Sequence, residues 1–444
     1  MLFLEKHLYN GPISWPTVRY MVCDVQYGGK ITDSLDRRLF SLYAAKWLTP
    51  DTLAEGYTMQ PQVPILKIPG NFQYLVKDLP SVDEYKAYCM SFPEIDSPEC
   101  LGFHPNADLT YRQKSARELL EIVGNTQPKG GGGGGGGPSK EDLVYEQAGK
   151  LYERMPDDYV EDVYKQKIQD LGGLSIPLNM FLFQEIQRLQ EVIELVRVML
   201  SSMRLAIKGE VTMTDDLAAG IEAMGDSRAP RPWTHTPSGT EFSWLIPMIS
   251  SWYGQLLKID DQARTWMNNG RPNSFWMAGF SNPAGFLTAM TQEVARKHSR
   301  APQFWALDEM VYHTEPTNMK DFHAVMGQPN EGIYTHGIYI DGGTFDIKAG
   351  TCVESTPKIL VTELPVMLIS ANHFAAQKKV NKEIYGPQGP YSSPTYKYAV
   401  RGDGYPGNPD IKNFIFFINL KCTMEKDPLH WGIRGFATYC NSGN

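Results

Sequence analysis

The stretch LFQEIQRLQEVIELVRVMLSSMRLAI, residues 182–207, has the clearest period in the sequence and decides the expected fold. Its apolar residues alternate spacings of four and three over 26 residues, which predicts one continuous helix. A helix of that span is about 40 Å long. We predict that its apolar stripe is a packing interface, formed by Leu182, Ile186, Leu189, Ile193, Val196, Leu200, Met203 and Ile207.

Two kinds of helix carry such a stripe. One is a coiled-coil partner helix, and the other is a long helix that lies on a large neighbouring surface. Phe181, Phe183, Val192, Leu195 and Met199 widen the stripe beyond the seam of a two-stranded coiled coil. The sequence therefore favours packing on a large surface.

Helical patterns surround this stretch and strand patterns follow it. Apolar periodicity and capping residues predict further helices at 33–47, 112–123, 215–224, 241–257, 260–268 and 282–298. Beyond His298 the period changes to two, which predicts strands at 305–312, 332–340, 358–369, 396–401, 411–421 and 431–440. Helices first and strands afterwards predict an α+β fold with a helical region and an antiparallel C-terminal β-barrel or sheet.

Eight consecutive glycines occupy residues 130–137 and are followed by Pro138, Ser139 and Lys140. Such a run is typical of a flexible tether, either natural or an engineered joint. A phosphate-binding loop would need the lysine directly after the last glycine and a β-strand before the loop. Neither condition is met, so we expect a linker at 130–140.

The overall composition excludes several classes of protein. The 444 residues include 42 basic and 50 acidic side chains, giving a net charge of −8, and 42% of residues are hydrophobic. A disordered protein and a dedicated nucleic-acid binder would have different compositions. No stretch reaches the ~18–20 apolar residues of a membrane helix, and residues 1–10 carry charges where a signal peptide would be apolar. We therefore expect a cytoplasmic protein without nucleic-acid or membrane partners.

The sequence shows no chemical motif. Its six cysteines include no C-x-x-C pair, and its nine histidines include no H-x-x-x-H or H-E-x-x-H pair. There is also no G-x-S-x-G elbow, and no G-x-G-x-x-G fingerprint follows a predicted strand. We therefore predict no catalytic, cofactor-binding or metal-binding residue in this chain. From the residues alone, the protein is a folded interaction or structural module.

Six blocks of sequence are distinctive in composition and order. They are WPTVRYMVCDVQYGGKITDSLDRRL (15–39), SPECLGFHPNADLTY (97–111), GRPNSFWMAGFSNPAGFLTAMTQEVAR (270–296), GIYIDGGTFD (337–346), ESTPKILVTELPV (354–366) and HWGIRGFATYC (430–440). Together they resemble the C-terminal end of dynein heavy chains, most of all the axonemal outer-arm type. Only the glycine tether and residues 371–410 fall outside the resemblance.

The resemblance implies a division of the sequence into five parts. Residues 1–60 would be the helical lid of the sixth AAA+ module and 61–129 a connecting segment. The linker at 130–140 would lead into the C-terminal domain, whose helical part is 141–300 and whose β-barrel part is 301–444. No catalytic residue is carried over from the family to this segment.

The resemblance also implies a function and a set of partners. Dynein heavy chains are ATP-driven, microtubule minus-end-directed motors, and ATP and magnesium are bound by modules upstream of this segment. The segment itself would cap and couple the AAA+ ring without hydrolysing ATP, and the apolar stripe of residues 182–207 would be its packing interface with the ring. Its partners would be the other AAA+ modules, other dynein heavy, intermediate and light chains, and the microtubule through the upstream stalk. Its location would be the cytoskeleton, in the axoneme of a cilium or flagellum.

Two other functions fit parts of the sequence. A free-standing scaffold would bind a helical partner through residues 182–207, which requires the stripe to be exposed. A carboxylate-dependent hydrolase in the strand region would need a deep pocket in residues 300–440, with two carboxylates about 5–10 Å apart.

Overall fold

The structure is a computed structural model that describes residues 11–32, 34–54, 79–92, 97–101, 104–126, 139–299, 305–312, 327–373, 385–399, 404–405 and 408–441. The protein divides into two compact units, Met1–Val123 and Gly124–Asn444. The glycine run at 130–137 lies outside the described residues, so the predicted tether stays a prediction.

The first unit is helical where it is described. Its helices are α1 (Trp15–Tyr20), continued by a π-helical segment (Met21–Gln26), α2 (Ser34–Trp47), α3 (Val82–Met90) and α4 (Asn106–Thr126). The predicted helices at 33–47 and 112–123 are confirmed, although α4 begins six residues earlier than expected. The Arg37 guanidinium donates hydrogen bonds to the carbonyls of Gly28 (2.8 Å) and Ile31 (3.0 Å). These bonds tie α2 to the turn that precedes it.

Seven helices form the first half of the second unit. They are α5 (Lys140–Glu153), α6 (Glu161–Asp170), α7 (Pro177–Ile207), α8 (Asp215–Gly225), α9 (Arg231–Thr234), α10 (Ile249–Asn269) and α11 (Pro283–Lys297). The long helix predicted at 182–207 is confirmed as α7. Asn282 caps α11 by accepting a hydrogen bond from the Gly285 N–H at 3.0 Å, as its sequence predicts. Among the described residues, no helix combines the length and the apolar character needed to cross a membrane.

The prediction of two helices at 241–257 and 260–268 is wrong, because α10 is a single helix that begins at Ile249. Asp260 does not start a helix but lies inside one. Its carboxylate accepts hydrogen bonds from the Tyr159 hydroxyl (2.8 Å) and from Arg264, one turn further along α10 (2.8 Å). This i,i+4 pair lets a carboxylate occupy the interior of a helix.

The apolar stripe of α7 faces the interior of its own unit. Seven of its eight side chains are buried, at 4% exposure or less, and Ile207 is partly buried at the end of the helix. The helix packs against α5, α8, α10 and α11. The prediction of a ring-packing interface on this stripe therefore needs correction, since other helices of the same unit cover these side chains. The same burial removes the exposed surface that the scaffold interpretation requires.

A cluster of aromatic rings fills the region where α7, α10 and α11 meet. The Phe286 ring lies 4.4 Å from that of Phe280, 4.9 Å from that of Phe275 and 5.3 Å from that of Phe181, measured between ring centroids. Trp266 stands edge-on to Phe275 at 4.9 Å. These rings contribute packing and no titratable group, as the sequence around residues 271–286 indicates.

The described strands form two main sheets and two hairpin-like pairs. Their bounds are β1 (Phe275–Trp276), β2 (Trp305–Tyr312), β3 (Ile333–His336), β4 (Tyr339–Asp341), β5 (Thr344–Asp346), β6 (Thr351–Val353), β7 (Val361–Glu363), β8 (Met367–His373), β9 (Tyr391–Tyr398), β10 (Gly404–Tyr405), β11 (Asn408–Lys412), β12 (Phe414–Leu420) and β13 (Ala437–Asn441). One sheet has the order β1-β3-β8-β2 and the other β12-β9-β13-β4-β7. The α+β class is confirmed.

The C-terminal strands do not form the closed antiparallel barrel that the sequence allows. Among the described strands, no pairing joins the outer strands β12 and β7, so the five-stranded sheet stays open. It is also mixed, because β13 pairs in parallel with β9 and antiparallel with β4. Of the two predicted forms, a β-barrel and a sheet, the structure contains the sheet.

Four predicted strand segments have a different structure. Residues 358–369 contain β7 and the start of β8, and residues 411–421 contain the end of β11 and all of β12. Residues 332–340 divide into β3 and β4 at Gly337, whose φ of +74° is strained for any other residue. Residues 431–440 contain a short helix, α12 (Pro428–Arg434), before β13. Asp427 caps this helix by accepting a hydrogen bond from the His430 N–H at 2.9 Å, and Gly435 ends it at a φ of +66°.

Candidate functional site: a polar junction between the long helix and the C-terminal sheet

A partly buried polar junction connects four parts of the second unit. Glu185 comes from α7, Ser281 from the loop before α11, Glu241 from the loop before α10, and Lys397 from β9. Tyr398 lies beside Lys397 at the end of the same strand. We call these five residues the junction.

Glu185 binds the start of α11. Its carboxylate accepts hydrogen bonds from the Ser281 N–H (2.8 Å), the Ser281 hydroxyl (2.6 Å) and the Asn282 N–H (3.3 Å). A negative charge at this end of a helix satisfies N–H groups that have no partner within the helix. The contact fixes the start of α11 against α7.

Lys397 connects the same loop to Glu241. Its ammonium donates to the Ser281 carbonyl at 2.8 Å and to Glu241 Oε1 at 2.5 Å, and the Tyr398 hydroxyl donates to the same carboxylate oxygen. The side chains of Lys397 and Glu241 are only 13% and 19% exposed. Ser281 therefore joins two charged groups, because its N–H and hydroxyl bind Glu185 while its carbonyl binds Lys397.

A small cavity lies beside the junction. Its volume is about 40 Å³, and its walls include Trp244, Gln255, Gln262, Phe280 and Cys440. That space suits about one or two water molecules and is far too small for a nucleotide. Burial raises the pKa of the Cys440 thiol to about 12, so this thiol stays protonated at neutral pH.

A larger groove runs along the surface between α7 and α11. Its volume is about 710 Å³, and its lining includes Gln184, Arg188, Asn282, Thr288 and Arg296. Glu185 borders both the groove and the small cavity. The Glu185 and Ser281 side of the junction therefore borders an open polar groove.

The arrangement can hold elements of the second unit together. Its carboxylates come from α7 and from the loop at 241, which lie outside the residues 300–440 that the hydrolase interpretation requires. Both already accept strong hydrogen bonds. Within the described ranges, no group of three or more His, Cys, Asp or Glu side chains is placed to hold a metal ion.

Of the eight stripe residues, only two lie beside the junction. Leu182 and Leu189 line the small cavity, and the others lie in the core. Sequence analysis missed the junction residues themselves. A signal for Glu185 was available, because this carboxylate lies three residues after Leu182 and four before Leu189, on the apolar side of α7.

We expect Glu185 to make the stability of the protein depend on pH. Burial raises the pKa of its carboxyl above the ordinary 4.5, and the hydrogen bonds from Ser281, the charge of Lys397 and the Asn282 N–H offset this only in part. The folded state then holds this proton more tightly than the unfolded state, so stability falls as pH rises above 4.5 through the raised pKa. Glu185→Gln should remove that loss, measured by urea unfolding between about pH 4 and pH 7.

The control for this prediction is Glu191→Gln, because Glu191 is an exposed carboxylate on the same helix. Its unfolding curves should follow those of the wild type at every pH. Parallel pH profiles for the wild type and Glu185→Gln would contradict the prediction.

Comparison with known protein families gives a consistent result over nearly the whole sequence. Residues 113–440 match the family described as the C-terminal domain of dynein heavy chains, and residues 1–107 match the family described as the AAA lid domain of dynein heavy chains.

Several similar proteins are axonemal or flagellar dynein chains. Dynein axonemal heavy chain 8 of Homo sapiens is 36% identical over 445 residues, which cover 99% of this chain and 9% of that protein. Dynein axonemal heavy chain 5 of Mus musculus has the same identity and the same coverage. The dynein gamma chain of the flagellar outer arm of Chlamydomonas reinhardtii is 35% identical over 447 residues, again 99% of this chain and 9% of that protein. The present sequence thus spans about a tenth of the length of these relatives.

Proposed function

The chain belongs to the dynein heavy chain family, and we propose that it serves the motor as a coupling segment that transmits force between parts of the AAA+ ring. The junction carries this proposal. It ties the long helix, the loop before α11 and the C-terminal sheet into one body through charged hydrogen bonds. A segment that transmits motion needs such rigid connections between its elements.

The packing of α7 supports the same role. This helix of 31 residues is buried along its stripe by helices on several sides, so it extends through the second unit as a stiff internal support. A partly exposed helix would bend or fray under load more easily. The surfaces that contact the other AAA+ modules would then lie outside this stripe.

We also propose the location and the partners of the protein by family membership. Its relatives are axonemal heavy chains of animals and flagellar chains of an alga, which supports a place in the axoneme of a cilium or flagellum. The relative from the flagellar outer arm is 35% identical, against 30% for the dynein-1-beta heavy chain of the inner arm I1 complex, which supports the outer-arm type. Its partners would be the other modules of the heavy chain, further dynein chains and, through a stalk elsewhere in the heavy chain, the microtubule.

Members of this family use ATP and magnesium, and we propose that modules elsewhere in the heavy chain bind them, so that this segment couples without hydrolysing ATP itself. The sequence contains no G-x-x-x-x-G-K-[ST] motif, whose backbone N–H groups and lysine bind the phosphates. We therefore expect the 444-residue protein to give no binding signal when it is titrated with Mg-ATP in a calorimeter.

The matched positive control is a dynein AAA+ module that contains the phosphate-binding motif, titrated under the same conditions. Micromolar affinity of the present protein for Mg-ATP would overturn the proposal that it couples without hydrolysing.

A further inference from the structure

Two cysteines that are distant in the sequence lie next to each other in the strand region. Cys352 is on β6, and Cys422 follows β12. The Cys352 N–H donates a hydrogen bond to the Lys421 carbonyl at 2.9 Å, which places the residue before Cys422 alongside β6. The Cys352 and Cys422 side chains also shift the pKa of one another, as expected of two neighbouring thiols.

A second contact holds the segment beyond Cys422 against the same strand. Glu354, two residues after Cys352, accepts hydrogen bonds from Lys426 (3.1 Å) and Arg434 (3.3 Å) and contacts His430 Nε2 at 2.8 Å, all through its Oε1 atom. We call residues 421–434 the strap. Because Lys421 is bonded to β6 and the rest of the strap is bonded to Glu354, which directly follows β6, the fold keeps Cys422 beside Cys352.

The two thiols differ in exposure and in acidity. Cys352 is fully buried, whereas Cys422 is partly exposed. Burial raises the pKa of the Cys352 thiol, and the hydrogen bond from Cys352 lowers the pKa of the Cys422 thiol. Cys422 is therefore the thiol that an oxidant reaches first and the one that more readily forms the reactive thiolate.

We propose that Cys352 and Cys422 are a redox-sensitive pair that forms a reversible disulfide when the protein meets a hydroperoxide. Thiol pairs that oxidise in reducing compartments are usually sensors, because structural disulfides rarely persist there. The bond would fasten the strap, and with it α12, covalently to β6. This inference is independent of the coupling role proposed above.

The reaction balances with the hydroperoxide as the two-electron oxidant. The Cys422 thiolate attacks one peroxide oxygen, the O–O bond breaks, and the leaving oxygen takes up a proton. The product at Cys422 is a sulfenic acid. The Cys352 sulfur then attacks the Cys422 sulfur, the S–S bond forms, and the hydroxyl leaves with the Cys352 proton as water. A dithiol reductant returns the disulfide to two thiols by thiol–disulfide exchange, and no oxygen atom is transferred in this step.

The test is a peptide map of the complete protein after native treatment with hydrogen peroxide, quenching with a thiol-alkylating reagent and digestion with trypsin. Cleavage after lysine releases residues 349–358, which contain Cys352, and residues 422–426, which contain Cys422. We expect these two peptides to appear joined as the main oxidised cysteine product and to separate after reduction with dithiothreitol. Because Met424 in the second peptide is 73% exposed, its sulfoxide form is included in the search.

Two controls make the result specific. Cys422→Ser should abolish the joined peptides, whereas Cys89→Ser, which removes an exposed cysteine of the first unit, should leave them unchanged. The wild-type map decides the question even if a variant folds poorly. Recovery of Cys422 as a sulfenic or sulfinic acid beside an unmodified Cys352 would overturn the proposal. The proposal would also be overturned if the protein oxidised in its native state gave the same mixture of cysteine pairs as the protein oxidised in urea.

Discussion

Replacing Lys397 with methionine is expected to lower the free energy of unfolding of the protein by about 3–5 kcal/mol, the usual result of leaving one partner of a buried ion pair unpaired. Lys397 supplies the positive charge for Glu241 at 2.5 Å and binds the Ser281 carbonyl at 2.8 Å. Without it, the Glu241 carboxylate stays in a largely buried site, where the Tyr398 hydroxyl still donates a hydrogen bond to it. Urea unfolding, monitored by tryptophan fluorescence, measures the loss.

Lys165→Met provides the matched control for this prediction. Lys165 pairs with Glu161 one turn away on α6, and their side chains are 50% and 63% exposed. Such a surface pair contributes about 0.2–1 kcal/mol. In the Lys397→Met background, Glu241→Gln should recover part of the stability because it removes the unpaired charge. Equal losses for Lys397→Met and Lys165→Met would show that the junction does not hold the unit together.

Ile186→Ala is the second substitution with a large expected effect. Ile186 lies on the stripe of α7 and is fully buried. Removing most of its side chain leaves a cavity in the core, at a cost of about 2–5 kcal/mol. The loss should appear as a lower urea midpoint with an unchanged slope.

Val198→Ala gives the comparison on the same helix, since Val198 is 59% exposed. Its change should stay within about 0.5 kcal/mol. If the stripe were instead a surface for an external partner, Ile186→Ala would cost as little as Val198→Ala in the isolated protein. The two variants therefore separate a core helix from a docking helix.

The sequence anticipated α7 well and its surroundings less well. A spacing of three and four residues shows which side of a helix is apolar. In the structure the residues with this spacing do lie on one side of α7. The same spacing carries no information about what covers the apolar side, because a neighbouring helix of the same unit and an external partner bury it equally well. This is why the interface predicted at residues 182–207 became part of the core.

Some local signals were present in the sequence and were outweighed by a strand pattern. The segment 427–435 has aspartate before Pro428 and a glycine after Arg434, which are the start and stop signals of a short helix. Its aromatic and β-branched residues suggested a strand instead. For Asp260, the pair with Arg264 one turn away was equally visible, and it favours a helix interior over a helix start.

The sequence by itself determined the family, the α+β class, the long helix and the missing phosphate-binding motif, because each depends on residues that are close together or on the order of blocks along the sequence. Only the tertiary structure decided the open sheet, the inward direction of the stripe and the junction. The hydrogen bonds of the junction join residues 96, 116 and 156 positions apart. Contacts at such separations leave no period in the sequence, since they form only when the packed helices and strands bring their side chains together.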